Sequence, residues 1–348
     1  MNVLIPFFDL THFDRYNPQL SYLADNLERL DILYRIGQVP EVHNPKFNFI
    51  RFEVPKRGHK YIDWYLGKEV IPSFVPPDLD LVYSLSGLWM NIYGDSIAKF
   101  WDIPHVIRLR GDMTNVRMFQ QRGQIQRALF RGMHMRALRN ATLITPIVDK
   151  YRGYLERMMI TQIGDTVPNG IEIPDREIFQ PETFSPSYIG RISKEKGSEF
   201  LERLINRTPQ YNWTIAGDIQ DKDFTAPAHA NYLGYVPYKE LRDFYEQSSV
   251  IVLPSLAEGF PNTILEAYAH GKPVIGSHEA LPKEITVYGS RLNIKRMRPW
   301  FLALDTVDRI GLPDGIGEKM REYVRDNYSW ELYGAKMRDQ LDKAISKY

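Results

Sequence analysis

Short apolar runs alternate with amphipathic stretches along almost the whole chain. The run over 2–8 is strand-sized and opens the pattern. Asn17-Pro18 then offers an N-cap with proline at the first helical position. Leu20, Leu23, Leu27, Leu30 and Tyr34 follow at helical spacing until Gly37, so one helix is expected from 17 to about 36. Further strands are expected at 79–85, 105–110 and 141–145, separated by helix-length segments near 88–100 and 115–139. Between 167 and 187 the chain becomes Pro-rich and loses its periodicity, which marks a linker. Alternation then resumes, with strands expected at 187–190, 213–217, 232–234, 250–254 and 273–276 and helices near 197–206, 238–247 and 262–270. In the last helix Trp330, Tyr333, Met337, Leu341 and Ile345 form one apolar stripe. Strands and helices in this order predict an α/β architecture of two doubly wound, largely parallel sheets. The expected division is a first Rossmann-like domain over 1–168, a linker over 169–186, a second Rossmann-like domain over 187–325, and a closing helix over 326–348 that packs back on the first. Ligands of open α/β sheets bind outside the carboxyl ends of the strands, so a cleft between the two domains is the expected site.

Composition narrows the chemistry. A length of 348 residues fits about two domains, and 43% apolar with 25% charged residues is ordinary globular composition. There is no cysteine, which removes disulfides, thiolate nucleophiles and Cys-ligated metal sites. No apolar run approaches the ~18 residues that span a bilayer, and no basic region precedes the first strand, so a soluble, cytoplasmic protein is expected. The net charge of +1 conceals one block: between 108 and 139 stand eight arginines and a single acid, Asp112. Such a block suggests an anionic partner, although a solvated helix face has the same composition.

The most informative stretch runs from Pro254 to Ala267, PSLAEGFPNTILEA. It reads as the end of a buried strand, a short loop containing Gly259, and a helix beginning near Pro261, whose first free N–H groups suit phosphate oxygens. Glu266 lies just over one turn in, about 7 Å beyond the helix start at ~1.5 Å per residue, a reach suited to a ribose behind a seated diphosphate. Glu258, in the loop, could accept hydrogen bonds from a sugar beyond it. Taken singly, either glutamate could equally be solvated or weakly paired on the surface, Glu266 with His270.

Glu258 and Glu266, with seven residues between them in this context, resemble the E-x7-E signature of retaining GT-B glycosyltransferases, in particular glycosyltransferase family 4. The segment from Tyr188 to Gly197, YIGRISKEKG, is similar to that family's "GR…KG" strand and loop. WTIAGD at 213–218, VPNGIEIPDREIFQP at 167–181, the 232–255 segment and YSWE at 328–331 resemble further parts of it in order. The resemblance implies two Rossmann-like domains with an interdomain cleft, the N-terminal one taking the acceptor and the C-terminal one the nucleotide-sugar. It implies that Arg191 and Lys196 contact the donor diphosphate, that Glu258 receives the transferred sugar, and that Glu266 receives the ribose. Gly259, Phe260, Pro261, Asn262 and Thr263 would seat the donor, and backbone near Val236 would hold the base. The implied reaction is retaining transfer from a UDP- or GDP-sugar to a hydroxyl of a glycan, lipid-linked or other small acceptor, with Glu258, Arg191 and Lys196 as the catalytic set. Two cations on one loop can neutralise the charge of a leaving diphosphate. The eight histidines are scattered and no Asp, Glu or His grouping has metal-ligand spacing, so no cofactor or metal is expected.

The first half departs from the family in two places. The loop after the first strand, Phe7 to His12, lacks the usual Gly-Gly, and Arg110 stands before Gly111-Asp112 where many members have histidine. Arginine stays protonated and cannot act as a base, so Arg110 is expected to bind an anion, with Asp112 and His12 as the other acceptor-side candidates. The triplet Asp78-Leu79-Asp80 invites a metal reading, but it precedes an apolar strand, the wrong end for a ligand. The 115–139 helix is expected to bury Met118, Ile125, Leu129 and Phe130, leaving its arginines for an anionic membrane face, a polyanionic acceptor or water. Nucleic acid is not expected, for want of interleaved aromatics. Two other functions remain open at this point: a nucleotide-sugar epimerase of the same fold, and a non-catalytic anion- or lipid-binding protein.

Overall fold

The structure, a computed structural model, describes residues 1–11, 13–41, 43–53, 71–85, 87–110, 124–237, 240–260 and 262–348. Their contacts separate into two units, Met1–Gly170 with Trp330–Tyr348, and Ile171–Ser329.

The first unit is built on a six-stranded parallel sheet of β1 (Asn2–Asp9), β2 (Arg29–Ile36), β3 (Phe47–Arg51), β4 (Leu81–Ser84), β5 (His105–Leu109) and β6 (Leu143–Pro146). Its strand order is β3-β2-β1-β4-β5-β6, the dinucleotide-fold order, with the direction of winding reversing between β1 and β4. Four helices follow the strands: α1 (Asn17–Asp25), α2 (Leu88–Trp101), α3 (Gln124–Asn140) and α4 (Lys150–Arg157). Strand alternation decides which face each side chain serves. Val3, Ile5 and Phe7 pack with Leu20 and Leu23 of α1, whereas Leu4 and Val82 pack with Ile92, Tyr93 and Ile97 of α2.

The second unit repeats the plan with β7 (Pro186–Ile189), β8 (Thr214–Ala216), β9 (Asn231–Gly234), β10 (Val250–Leu253), β11 (Val274–Ser277) and β12 (Gly289–Leu292), all parallel. The order β12-β11-β10-β7-β8-β9 puts the reversal between β7 and β10. Its helices are α5 (Ser198–Asn206), α6 (Leu241–Glu246), α7 (Asn262–Ala269), α8 (Met297–Ile310) and α9 (Ile316–Tyr328). The chain then returns to the first unit as α10 (Trp330–Lys347). Tyr333, Met337 and Leu341 of its stripe are buried in the first core. A Cβ at Gly334 would stand 2.6 Å from the Tyr22 carbonyl oxygen, which shows how closely α10 approaches α1.

Three expectations need correction. The helix expected over 17–36 ends at Asp25; Arg29–Ile36 is instead strand β2, and β3 and β12 were not anticipated. The leucine spacing misleads there because β2 lies inside a parallel sheet. Leu30, Asp31, Ile32 and Leu33 are all buried, which erases the two-residue alternation of a half-exposed strand. On α3 Leu129 is exposed, and the inward face is made by Phe130, His134, Ala137 and Leu138. Arg108 does not belong to a solvated basic face either: as part of β5 it is wholly buried, while Arg131, Arg136 and Arg139 of α3 are exposed. The rest of the basic block over 111–123, with Met118, lies outside the described residues, and so do His12, Asp112 and Pro261. Among the described residues no helix is long and apolar enough to cross a membrane.

Candidate active site

β7 and β10 flank the winding reversal of the second sheet, so the loops leaving their carboxyl ends open where an α/β sheet binds ligands. The loop after β7 carries Arg191 and Lys196, and the loop after β10 carries Glu258. The two are latched together. The Leu256 N–H donates to the Glu195 carbonyl at 2.8 Å. Gly197, in the left-handed region at φ +76°, comes so close to the Pro254 carbonyl that a Cβ would lie 2.0 Å from its oxygen. Only glycine closes this junction without displacing one loop.

Across the junction Lys196 Nζ donates to Glu258 Oε1 at 2.5 Å, and Ser255 Oγ donates to the same oxygen at 2.9 Å. The lysine and glutamate side chains are only 18% and 11% exposed, which is why this pair differs from a solvated surface contact. Arg191 stands exposed on the same loop as Lys196. Its carbonyl accepts from the Tyr188 hydroxyl at 2.8 Å. Burial, and next the Glu258 carboxylate, hold the Tyr188 phenol above its usual pKa, with Arg191 acting in the opposite sense. These groups therefore share one electrostatic environment.

Glu266 sits in the second turn of α7 and is held differently. The buried Tyr245 of α6 donates its hydroxyl to Glu266 Oε2 at 2.5 Å. Burial raises the pKa of this carboxyl, and the Tyr245 hydrogen bond offsets part of the rise. His270 does not pair with the carboxylate: its Nδ1 faces the Glu266 backbone carbonyl at 2.8 Å while its ring stacks on Tyr245. Glu266, Tyr245, Leu241 and Ile173 line a cavity of about 450 Å³ that also takes in Arg242 and His270. That volume is within the ~300–1,000 Å³ of small-molecule sites.

The remaining donor-side candidates surround this place. Gly259 and Phe260 are half-buried, with the Phe260 ring centroid 6.0 Å from that of Tyr328, and Val236 packs against the same cluster. Asn262 and Thr263 form the first turn of α7. Tyr245, Ser255 and Tyr188 were not singled out in the sequence; the GR…KG and E-x7-E segments gave the ends of these contacts but no sign of which hydroxyls fill the space between. In the first unit, Arg110 follows β5 and its guanidinium lies over the Tyr16 ring, 5.2 Å from the centroid. Asp78 and Asp80 stand before β4, where Arg29 donates two hydrogen bonds to Asp78 at 2.7 and 2.8 Å and the Asn2 N–H donates to Asp80 at 2.6 Å. Among the described residues no three His, Asp or Glu side chains gather in a way that could hold a metal ion.

Residues 186–294, which carry every one of the donor-side groups above, match the family described as glycosyl transferases group 1. An uncharacterised 41.2 kDa protein of the Klebsiella pneumoniae cps region is 32% identical over 112 residues, 31% of each chain. An uncharacterised glycosyltransferase of Methanocaldococcus jannaschii is 24% identical over 91% of this chain and 93% of its own length. Residues 186–294 are thus similar to the group 1 glycosyltransferases, and the fold is of the GT-B type. Solved structures agree on this fold. Sucrose-phosphate synthase from Thermosynechococcus elongatus superposes with a TM-score of 0.78 over 100% of both chains at 17% identity. HepE of Anabaena, solved with UDP-glucose, gives 0.75 over 100% of both chains at 13% identity.

Proposed function

We propose that this protein is a retaining glycosyltransferase of the family 4 kind, transferring a hexose from a nucleotide-sugar, UDP-glucose or a close relative, to a hydroxyl of a glycan or lipid-linked acceptor. The observation that carries the reading is the Lys196–Glu258 pair, which joins the two loops flanking the winding reversal. The donor diphosphate lies against Lys196, Arg191 and the first turn of α7, whose N–H groups and positive dipole end favour an anion. Glu266, beside the cavity, accepts from the ribose, and Glu258 accepts from hydroxyls of the sugar. In the reaction the bond from the sugar anomeric carbon to the diphosphate oxygen breaks. The bond to the acceptor oxygen forms on the same face, and the acceptor proton passes to the leaving diphosphate. Lys196 and Arg191 stabilise the charge that develops there, so the chemistry asks nothing of a resident metal. The exposed Arg131, Arg136 and Arg139 support a peripheral seat on an anionic membrane surface as a further part of this reading.

Thermal-shift screening against nucleotides and nucleotide-sugars identifies the donor, because a ligand at about 100 times its Kd adds about 2.7 kcal/mol of stability. With that donor, Lys196→Ala and Glu258→Ala are each expected to lower turnover by about 100-fold or more while the circular dichroism spectrum stays unchanged. Full activity in either variant removes that residue from the mechanism. A product of inverted anomeric configuration, or an epimer of the donor formed without acceptor, overturns the assignment.

A further inference from the structure

The first unit holds two arginines, Arg108 and Arg110, whose positive charge no carboxylate among the described residues balances. Arg108 and Arg110 are two apart along β5 and its extension, so they serve the same face of the sheet. Arg108 is wholly buried: Nη2 donates to the Val167 carbonyl at 3.0 Å and the guanidinium stacks on the Tyr333 ring at 4.6 Å. Its Nε and Nη1 have no hydrogen-bond partner among the described residues. The nearby phenols do not fill that need, since Tyr333 accepts from Gln19 at 2.7 Å and lies 3.2 Å from the Tyr83 hydroxyl. Arg110 is half-buried over Tyr16. Its proton affinity is lowered first by burial and next by Arg108, with Tyr16, Tyr333 and Tyr83 acting in the opposite sense.

Burying a guanidinium without a counter-ion is costly, and arginine cannot escape the cost by losing its proton. Aromatic faces attract the cation but offer no acceptor to its N–H groups. Among the described residues no carboxylate forms an ion pair with either arginine. The pair also lies in a telling place. β5 adjoins β4, which borders the winding reversal of this sheet, and Tyr16 leads into α1 from the carboxyl end of β1. That is the end at which an open α/β sheet receives ligands. A guanidinium fork matches the oxygens of a phosphate, and two positive charges balance a phosphoryl dianion.

We propose that Arg110, reinforced by the buried Arg108 beneath it, binds a phosphoryl group carried by the acceptor substrate. The word acceptor rests on the glycosyltransferase reading above; the anion seat itself does not. It lies in the first unit, whereas the donor-side residues lie in the second.

Calorimetric titration of the full chain with inorganic phosphate and, separately, with UDP tests both parts. With the donor site filled by saturating UDP, phosphate is expected to bind the wild type, and to bind Arg110→Gln at least about 10-fold more weakly, as loss of a charge-assisted contact requires. UDP is expected to bind Arg110→Gln as it binds the wild type. Phosphate affinity that is unchanged in Arg110→Gln overturns the site. A parallel loss of UDP affinity in Arg110→Gln assigns the anion to the donor and overturns the acceptor claim. Should Arg110→Gln fail to fold, Arg110→Lys, which keeps the charge and loses the fork, is expected to weaken phosphate several-fold, and equal affinity refutes the proposal. UDP binding that is unaffected by Lys196→Ala strikes instead at the donor reading and leaves this site untouched.

Discussion

Replacing Glu258 with glutamine separates the two jobs that the Lys196–Glu258 contact performs. Without donor, the lysine is committed to the carboxylate at 2.5 Å, and Ser255 adds a second donor to the same oxygen. A diphosphate must draw Lys196 at least partly away from that partner. Exposed ion pairs are worth about 0–1 kcal/mol, and breaking fully buried ones costs about 3–5 kcal/mol. At 18% and 11% exposure the pair falls between these limits, at about 2 kcal/mol. Lysine has three N–H donors and can serve both partners in part, so between half and all of that energy opposes diphosphate binding. Each 1.4 kcal/mol is tenfold in affinity, so Glu258→Gln is expected to bind UDP about 5- to 30-fold more tightly than the wild type. Transfer in the same variant should fall, because the carboxylate that receives the sugar hydroxyls is gone. Calorimetric titration with UDP at about 0.1 M salt, where screening leaves a half-buried pair largely intact, measures the first effect. Unchanged or weaker UDP binding in Glu258→Gln, alongside weaker binding in Lys196→Ala, would refute the idea that donor and carboxylate compete for one lysine.

Two further substitutions probe how the site is held. Gly197→Ala forces a side chain into the left-handed region and against the Pro254 carbonyl, so about 2–3 kcal/mol of stability should be lost; urea unfolding within 0.5 kcal/mol of the wild type would contradict this. Tyr245→Phe removes the hydroxyl that offsets the burial of the Glu266 carboxyl. A carboxyl whose folded pKa lies above its ordinary value contributes most stability below that value and loses it as pH rises through the raised one. The variant raises that pKa further, so its penalty should reach about 1–3 kcal/mol near pH 7 and shrink near pH 4. An equal penalty at both values, measured by urea unfolding, would show that the hydroxyl serves packing alone.

The fold class and the donor-side loops were legible in the sequence because they depend on local pattern. The 250–254 run, the PSLAEGF loop and the helix start after Pro261 lie within 20 residues of one another, and their order alone announces a strand, a loop and a helix. The YIGRISKEKG segment announces its own loop in the same way. Where burial rather than pattern governs, the reading failed: β2 has the leucine spacing of a helix because both its faces are covered. Contacts between distant residues were decided only by the folded chain. Lys196 meets Glu258 across 62 positions, Tyr245 meets Glu266 across 21, and Arg108 leaves a basic block to stack beneath Tyr333 of the last helix. Amphipathic period and turn chemistry act over a few residues, so the sequence records them directly. Which charge is buried, and which hydroxyl answers it, depends on how each sheet and its own helices close over those residues, and no short window of the chain contains that information.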